Sequence, residues 1–192
     1  MPQLREIVSV INTSLQGGNF SIRKFQDGKW YNIAEFITRE EQDKVTKFPV
    51  IIDDFGECTE VVPNDTYPIQ FYHRILGILP TDDPIVDFGN FGNSITEVDE
   101  MVLIVIGDRK KTNVTRENVA SAIWAQFPRE ITTVANLQSC LIEPLEINND
   151  RESVWNGEFD NVDFELEPQQ YIISLRYRIT AIYSKNCFTL CN

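Results

Sequence analysis

The chain has 192 residues, 42% of them hydrophobic and 24% charged, the composition of one ordinary globular domain large enough to bury a core without staples. A net charge of -12 excludes general nucleic-acid binding, in which lysines and arginines must neutralise phosphates. Met1-Pro2-Gln3-Leu4-Arg5-Glu6 lacks the basic-then-apolar pattern of a secretory signal, and no apolar run approaches the ~20 residues of a membrane helix.

At the N-terminus Leu4, Ile7, Val8, Ile11 and Leu15 recur at helical spacing, and Gly17-Gly18 end the pattern. This predicts an amphipathic helix that needs a sheet or a neighbouring subunit beneath it. Phe20–Phe25 and Trp30–Ile37 flank Asp27-Gly28, a pair that reads as a hairpin turn because glycine accepts positive φ. Thr38–Lys47 reads as a loop or short helix. Phe48–Ile52 reads as a buried strand stopped by Asp53-Asp54-Phe55-Gly56.

Tyr67–Leu79 predicts a long strand, with Ile69, Phe71, His73 and Ile75 on one face and Gln70, Tyr72, Arg74 and Leu76 on the other. Pro80–Glu100 is acidic, rich in Gly and Pro, and carries Phe88 and Phe91. Either it is a floppy insertion, or it orders against a neighbouring chain with the two phenylalanines as anchors. Met101–Ile106 is continuously apolar, as a strand buried on both faces requires.

After the polar connection 107–113, Val119, Ala120, Ile123, Trp124 and Phe127 mark a second amphipathic helix, capped near Thr115 and ended by Pro128. Ala135–Ile147 is a strand region interrupted by Pro144. Asn148–Pro168 is a second acidic, irregular stretch, with Trp155 and Phe159. In Tyr171–Tyr183 seven apolar side chains alternate with a set that includes Arg176 and Arg178. That spacing predicts a strand of about 40 Å, with the Tyr67–Leu79 strand as its natural antiparallel neighbour. The whole is α+β: one domain over 1–192, an antiparallel-dominated sheet with two amphipathic helices on one face, and long irregular loops near 80–100 and 148–168.

No motif announces chemistry. Gly107-Asp108-Arg109-Lys110-Lys111-Thr112 has one glycine and an aspartate where a phosphate loop would need donors, so it reads as a solvated basic turn or a patch for an acidic neighbour. Asp53/Asp54, Asp82/Asp83 and Asp160/Asp163 read as turn residues. The alternative, a metal-dependent hydrolase, requires Asp53, Asp54 and Asp87 to converge. A small adaptor module outside any virion is a further alternative. His73 reads as a core histidine with no nucleophile beside it. Cys58, Cys140, Cys187 and Cys191 read as reduced thiols, not a zinc set. No cofactor or metal is expected.

Taken together, the N-terminal helix, the hairpin, the strand Met101–Ile106, the helix around Ile123-Trp124-Ala125-Gln126-Phe127 and the closing strand Tyr171-Ile172-Ile173-Ser174-Leu175-Arg176-Tyr177-Arg178 resemble tail-terminator and neck-ring proteins of tailed bacteriophages, those of crAss-like phages above all. The resemblance implies a non-enzymatic virion protein: a homo-oligomeric ring of six or twelve copies at the head–tail junction. It would contact neck, portal or tail-tube proteins, touch no membrane and leave a channel for DNA. A ring needs two unlike, complementary patches. Basic positions (Arg74, Arg109, Lys110, Lys111, Arg176, Arg178) and the acidic loops, with Phe88, Phe91, Trp155 and Phe159 as anchors, are the expected interface.

Overall fold

The computed structural model of the chain describes residues 2–17, 25–41, 44–53, 56–78, 94–135, 137–159, 162 and 165–184. The fold is α+β, with mostly antiparallel sheets. Along the chain run α1 (Pro2–Gly17), β1 (Lys29–Ile33), β2 (Glu35–Glu41), β3 (Lys44–Ile52), β4 (Cys58–Glu60), β5 (Ile69–Ile78), β6 (Ser94–Asp108), α2 (Arg109–Thr112), α3 (Arg116–Gln126), β7 (Leu137–Asn148), α4 (Arg151–Glu158) and β8 (Gln170–Ser184). A five-stranded sheet has the order β1-β5-β6-β8-β7, with β1 parallel to β5 and every other pair antiparallel. A smaller antiparallel sheet has the order β2-β3-β4.

Alternation along the two longest strands divides the interior. Met101, Leu103 and Val105 of β6, with Tyr171 to Tyr183 at every second position of β8, enter one core. Val102, Ile104 and Ile106 of β6, with Ile172 of β8, enter a second core on the opposite face. The first core is covered by the expected helices. Leu4, Ile7, Val8, Ile11 and Leu15 of α1, and Val119, Ala120, Ala122 and Ile123 of α3, are all buried there. Each large side chain so buried contributes roughly 1.5–3 kcal/mol. Thr115 caps α3 by accepting from Asn118 N at 3.3 Å, and Pro128 follows its last residues.

Several expectations are corrected. β5 and β8 are not neighbours: β6 lies between them, Leu103 pairing with both His73 and Leu175. Because β6 is buried on both faces it takes the centre, where a strand with no polar side would otherwise be exposed. Its ladder with β8 also runs back to Ser94, so residues 94–100 belong to the sheet and not to a loop. β1 pairs in parallel with β5, and its turn closes with Gly28 N donating to Phe25 O. The expected partner strand, Phe20–Phe25, falls on residues outside the described set except for Phe25.

Thr38–Glu41 and Lys44–Lys47 are not loop or helix but paired antiparallel strand, in β2 and β3, whose cations cover their aromatics: Arg39 over Phe48 and Lys47 over Phe36. At the Asp53–Gly56 stop Gly56 donates its N–H to Asp53 O at 3.1 Å and takes φ +82°, after which β4 adds a short third strand. Asn148–Pro168 contains α4, capped by Asp150, which accepts from Ser153 N at 2.8 Å. This helix buries Val154 on the second face, which the composition of that stretch did not betray.

Candidate interaction surface

The basic side chains expected at an interface fall into three groups. Arg176 and Arg178 stand on the second face of β8, in cross-strand register with acidic residues. Arg176 pairs with Glu100 at 3.1 Å and Glu146 at 3.9 Å, and Arg178 with Glu143 at 3.3 Å. Arg74 pairs with Glu158 of α4, and its guanidinium lies over the Phe36 ring. Glu158 is buried and also accepts from the Tyr72 hydroxyl at 3.2 Å. Burial pushes the Glu158 carboxyl upward in pKa, and the Arg74 charge opposes that push. These three arginines hold the subunit's own strands and helix together.

Arg109, Lys110 and Lys111 form α2 beyond the end of β6. Asp108 caps this turn, its buried carboxylate accepting from Lys110 N at 2.7 Å and Lys111 N at 3.3 Å. Asn113 closes it in the left-handed region at φ 54°. Lys111 reaches Asp65 at 3.3 Å. Arg109 and Lys110 are exposed, and among the described residues they alone of the cationic side chains make no ion pair, carbonyl bond or ring contact.

Two adjoining open depressions, about 680 and 470 Å³, lie at this end of the sheet and share Arg109, Thr115, Pro168 and Gln169. Lys110 lines the first; Arg116 and Arg151 line the second, with Glu117 as the acidic side chain among the lining residues. Arg116 is the first residue of α3 and Arg151 the first of α4. A cation at a helix N-terminus opposes the helix dipole, at about 0.3–1 kcal/mol each. Arg116 meets that cost by donating to Asn149 O at 3.1 Å and Glu117 at 2.8 Å, and Arg151 by donating to Leu166 O. The result is an end of the sheet where Arg109, Lys110, Arg116 and Arg151 stand beside the capping carboxylates Asp108 and Asp150 and the first-turn Glu117 and Glu152. Arg116 and Arg151 carried a sequence signal, each directly following a capping residue.

Toward the opposite end of β8, Glu97 and Asp99 of β6 stand in register with Ala181 and Ile179. The buried Tyr183 phenol is held above its ordinary range, first by burial and then by the carboxylates of Glu97, Asp99 and Glu6. Asp99 is 1% exposed, its Oδ1 has no hydrogen-bond partner, and burial with Glu97 nearby raises its carboxyl to about 6.

His73 sits in the first core, bridging α1 and β8. Asn12 Nδ2 donates to Tyr31 O at 3.0 Å, so Asn12 Oδ1 is left as an acceptor and must receive its 2.9 Å bond from His73 Nε2–H. His73 Nδ1 then accepts from the Tyr177 hydroxyl at 2.7 Å. Burial lowers this imidazole to about 3, which keeps it neutral. Both nitrogens are committed, as the core reading requires.

Trp155 and Phe159 stack on each other at 4.3 Å between centroids, and Phe159 is buried in the second core. Phe88 and Phe91 lie outside the described residues, as do Asp54, Asp82, Asp83, Asp87, Asp160 and Asp163 of the carboxylate pairs. Among the described residues no three His, Cys, Asp or Glu side chains converge on a metal-sized site. Cys58 is exposed and Cys140 buried, both as free thiols; Cys187 and Cys191 lie outside the described residues. Among the described residues no helix is long and apolar enough to cross a membrane. The sequence matches no protein-family model, and no curated protein is significantly similar to it.

Proposed function

We propose that the chain is a structural virion protein of a tailed bacteriophage, a subunit of a closed ring of six or twelve copies at the head–tail junction. There it joins the tail tube to the portal or neck and leaves a channel for DNA. The observation that carries this reading is the exposed pair Arg109 and Lys110, which make no ion pair among the described residues of a chain of net charge -12. Every other described cation is engaged within the subunit, so this end is what the molecule holds out to a partner with carboxylates. A patch on one end, meeting a different patch on the next copy, is the heterologous contact from which rings are built. The acidic balance of the remainder suits a channel wall that does not grip phosphate. The order of elements resembles that of tail-terminator and neck-ring proteins.

The test is cryo-electron microscopy of particles purified from infected host cells, with mass spectrometry of their protein content. The expected result is this chain as a ring between capsid and tail. Its absence from particles that contain the other neck and tail proteins would overturn the proposal.

A further inference from the structure

We infer that two copies of this chain pair through the open edge of β2, antiparallel across a two-fold axis at Ile37, with Glu35 of each copy against Arg39 of the other. The inference does not rest on the ring reading; in a twelve-copy assembly such a contact would join two rings of six.

The edge is open for a reason that begins at one proline. Pro49 of β3 lies opposite Phe36 and has no N–H to give to β2. Its carbonyl accepts from Val61 N at 2.9 Å on the β4 side, so the backbone of Pro49 turns away from β2. The N–H and C=O of Phe36, and by alternation those of Thr38, therefore turn away from β3. At Ala34 the same side of the strand still has a partner, since Ala34 N donates to His73 O at 2.7 Å. Beyond that bond β1 follows β5 no further and, among the described residues, β2 pairs with β3 alone. The strands part around an open depression of about 470 Å³, lined by Glu35 and Phe36 on one side and by Arg74 and Ile75 on the other. A row of unpaired backbone groups beside an open cleft is a place for an added strand.

The side chains of β2 select a second copy as that strand. Glu35 and Arg39 are exposed and Ile37 is partly buried, all three on one face. Read in the reverse direction the series is basic, apolar, acidic, so the strand complements itself. With Ile37 opposite its counterpart, Glu35 of each copy faces Arg39 of the other. Phe36 then faces Thr38, so that outward backbone groups meet and exchange both hydrogen bonds. Arg39 already holds Glu60 and lies over Phe48, but a guanidinium offers five donors and can take a further carboxylate. On the other face Glu40 falls opposite Ala34, which sets no like charges against each other. Sliding one strand by two residues puts Ile37 against Arg39 and loses both ion pairs. Sliding it by four puts Arg39 against Arg39.

The experiment is sedimentation equilibrium of the full chain over a range of concentrations, with a circular-dichroism spectrum of each variant. Wild type is expected to dimerise. E35R and R39E each set like charges opposite one another at both ends of the ladder, and each is expected to weaken the dimer by roughly tenfold or more. Mixed in equal amounts, the two variants are expected to pair as tightly as wild type, because the basic strand of one then meets the acidic strand of the other. T38P removes an amide that points away from β3, so it is expected to leave the monomer folded and to abolish the dimer. Should T38P not fold, the charge series decides alone. A wild type monomeric at every concentration, a folded T38P chain that dimerises as wild type does, or a mixture no tighter than either variant by itself would overturn this contact. The ring reading stands or falls separately, on the particle images.

Discussion

The ring of Tyr171 occupies the space that a side chain at Gly107 would fill. The two residues are paired across β6 and β8, and a Cβ built on Gly107 would fall 2.6 Å from Tyr171 Cε2, with Cζ and the hydroxyl closer still. Gly107 is thus the floor on which the aromatic ring lies, an arrangement in which the ring replaces the packing that glycine lacks. G107A is expected to destabilise by about 1–3 kcal/mol, a fall of roughly 3–10 °C in Tm. In a Y171A background the same change is expected to cost little. A thermal-melt double-mutant cycle measures the coupling, and additive effects would contradict the close contact.

Arg74 and Glu158 predict a different cycle. R74A leaves a buried carboxylate without its cation and is expected to cost about 3–5 kcal/mol in urea unfolding. R74M/E158Q, which removes both charges and keeps the volume, is expected to recover most of that loss. A double variant no better than R74A would show that packing of the guanidinium on Phe36 outweighs the charge.

His73 ties stability to acidity in one direction. Its folded pKa, about 3, lies below the ordinary 6.5, so the unfolded chain binds more protons between these values and stability falls as pH drops through that window. By pH 5 the loss attributable to this residue is about 2 kcal/mol. H73Q is expected to be less stable at pH 7 but to lack that share of the acid slope, as urea titrations at pH 7, 6 and 5 would record. An unchanged slope would contradict the neutral, doubly bonded imidazole.

Asp99 works in the opposite direction. Its folded pKa, about 6, lies above the ordinary 3.8, so the folded state holds the proton more tightly. Its contribution is therefore full below about pH 3.8 and is lost as pH rises to about 6. D99N is expected to stabilise the subunit by about 2–3 kcal/mol at pH 8 and by nearly nothing at pH 4. Equal effects at both values would mean that the carboxylate is ionised throughout.

The long strands and the two helices of the first core were legible because each carries one clean periodicity. Tyr171–Tyr183 alternates, and Leu4–Leu15 repeats at helical spacing. Strand order was not legible. Two strands with similar alternation suggested each other as partners, but the central position goes to Met101–Ile106, whose continuous apolarity requires a neighbour on both sides. The helix α4 was hidden because its buried side is one turn of Val154 with flanking aromatics, too short for a periodic signal. Of the candidate surface, Arg109 and Lys110 were visible as a basic turn. That Arg74, Arg176 and Arg178 are engaged internally depends on register with Glu158, Glu100, Glu146 and Glu143, which sequence alone does not fix.

β7 forms one margin of the five-stranded sheet, with its register shifted between Pro144 and Glu146, while the 129–131 segment is bonded to it at Ile142 and Cys140. Proline offers no amide hydrogen there, and the Ile142 amide is already donated to Arg129 O. Copies crowded together therefore find no ready template for adding sheet to sheet along this border. Growth into fibres is discouraged on that side.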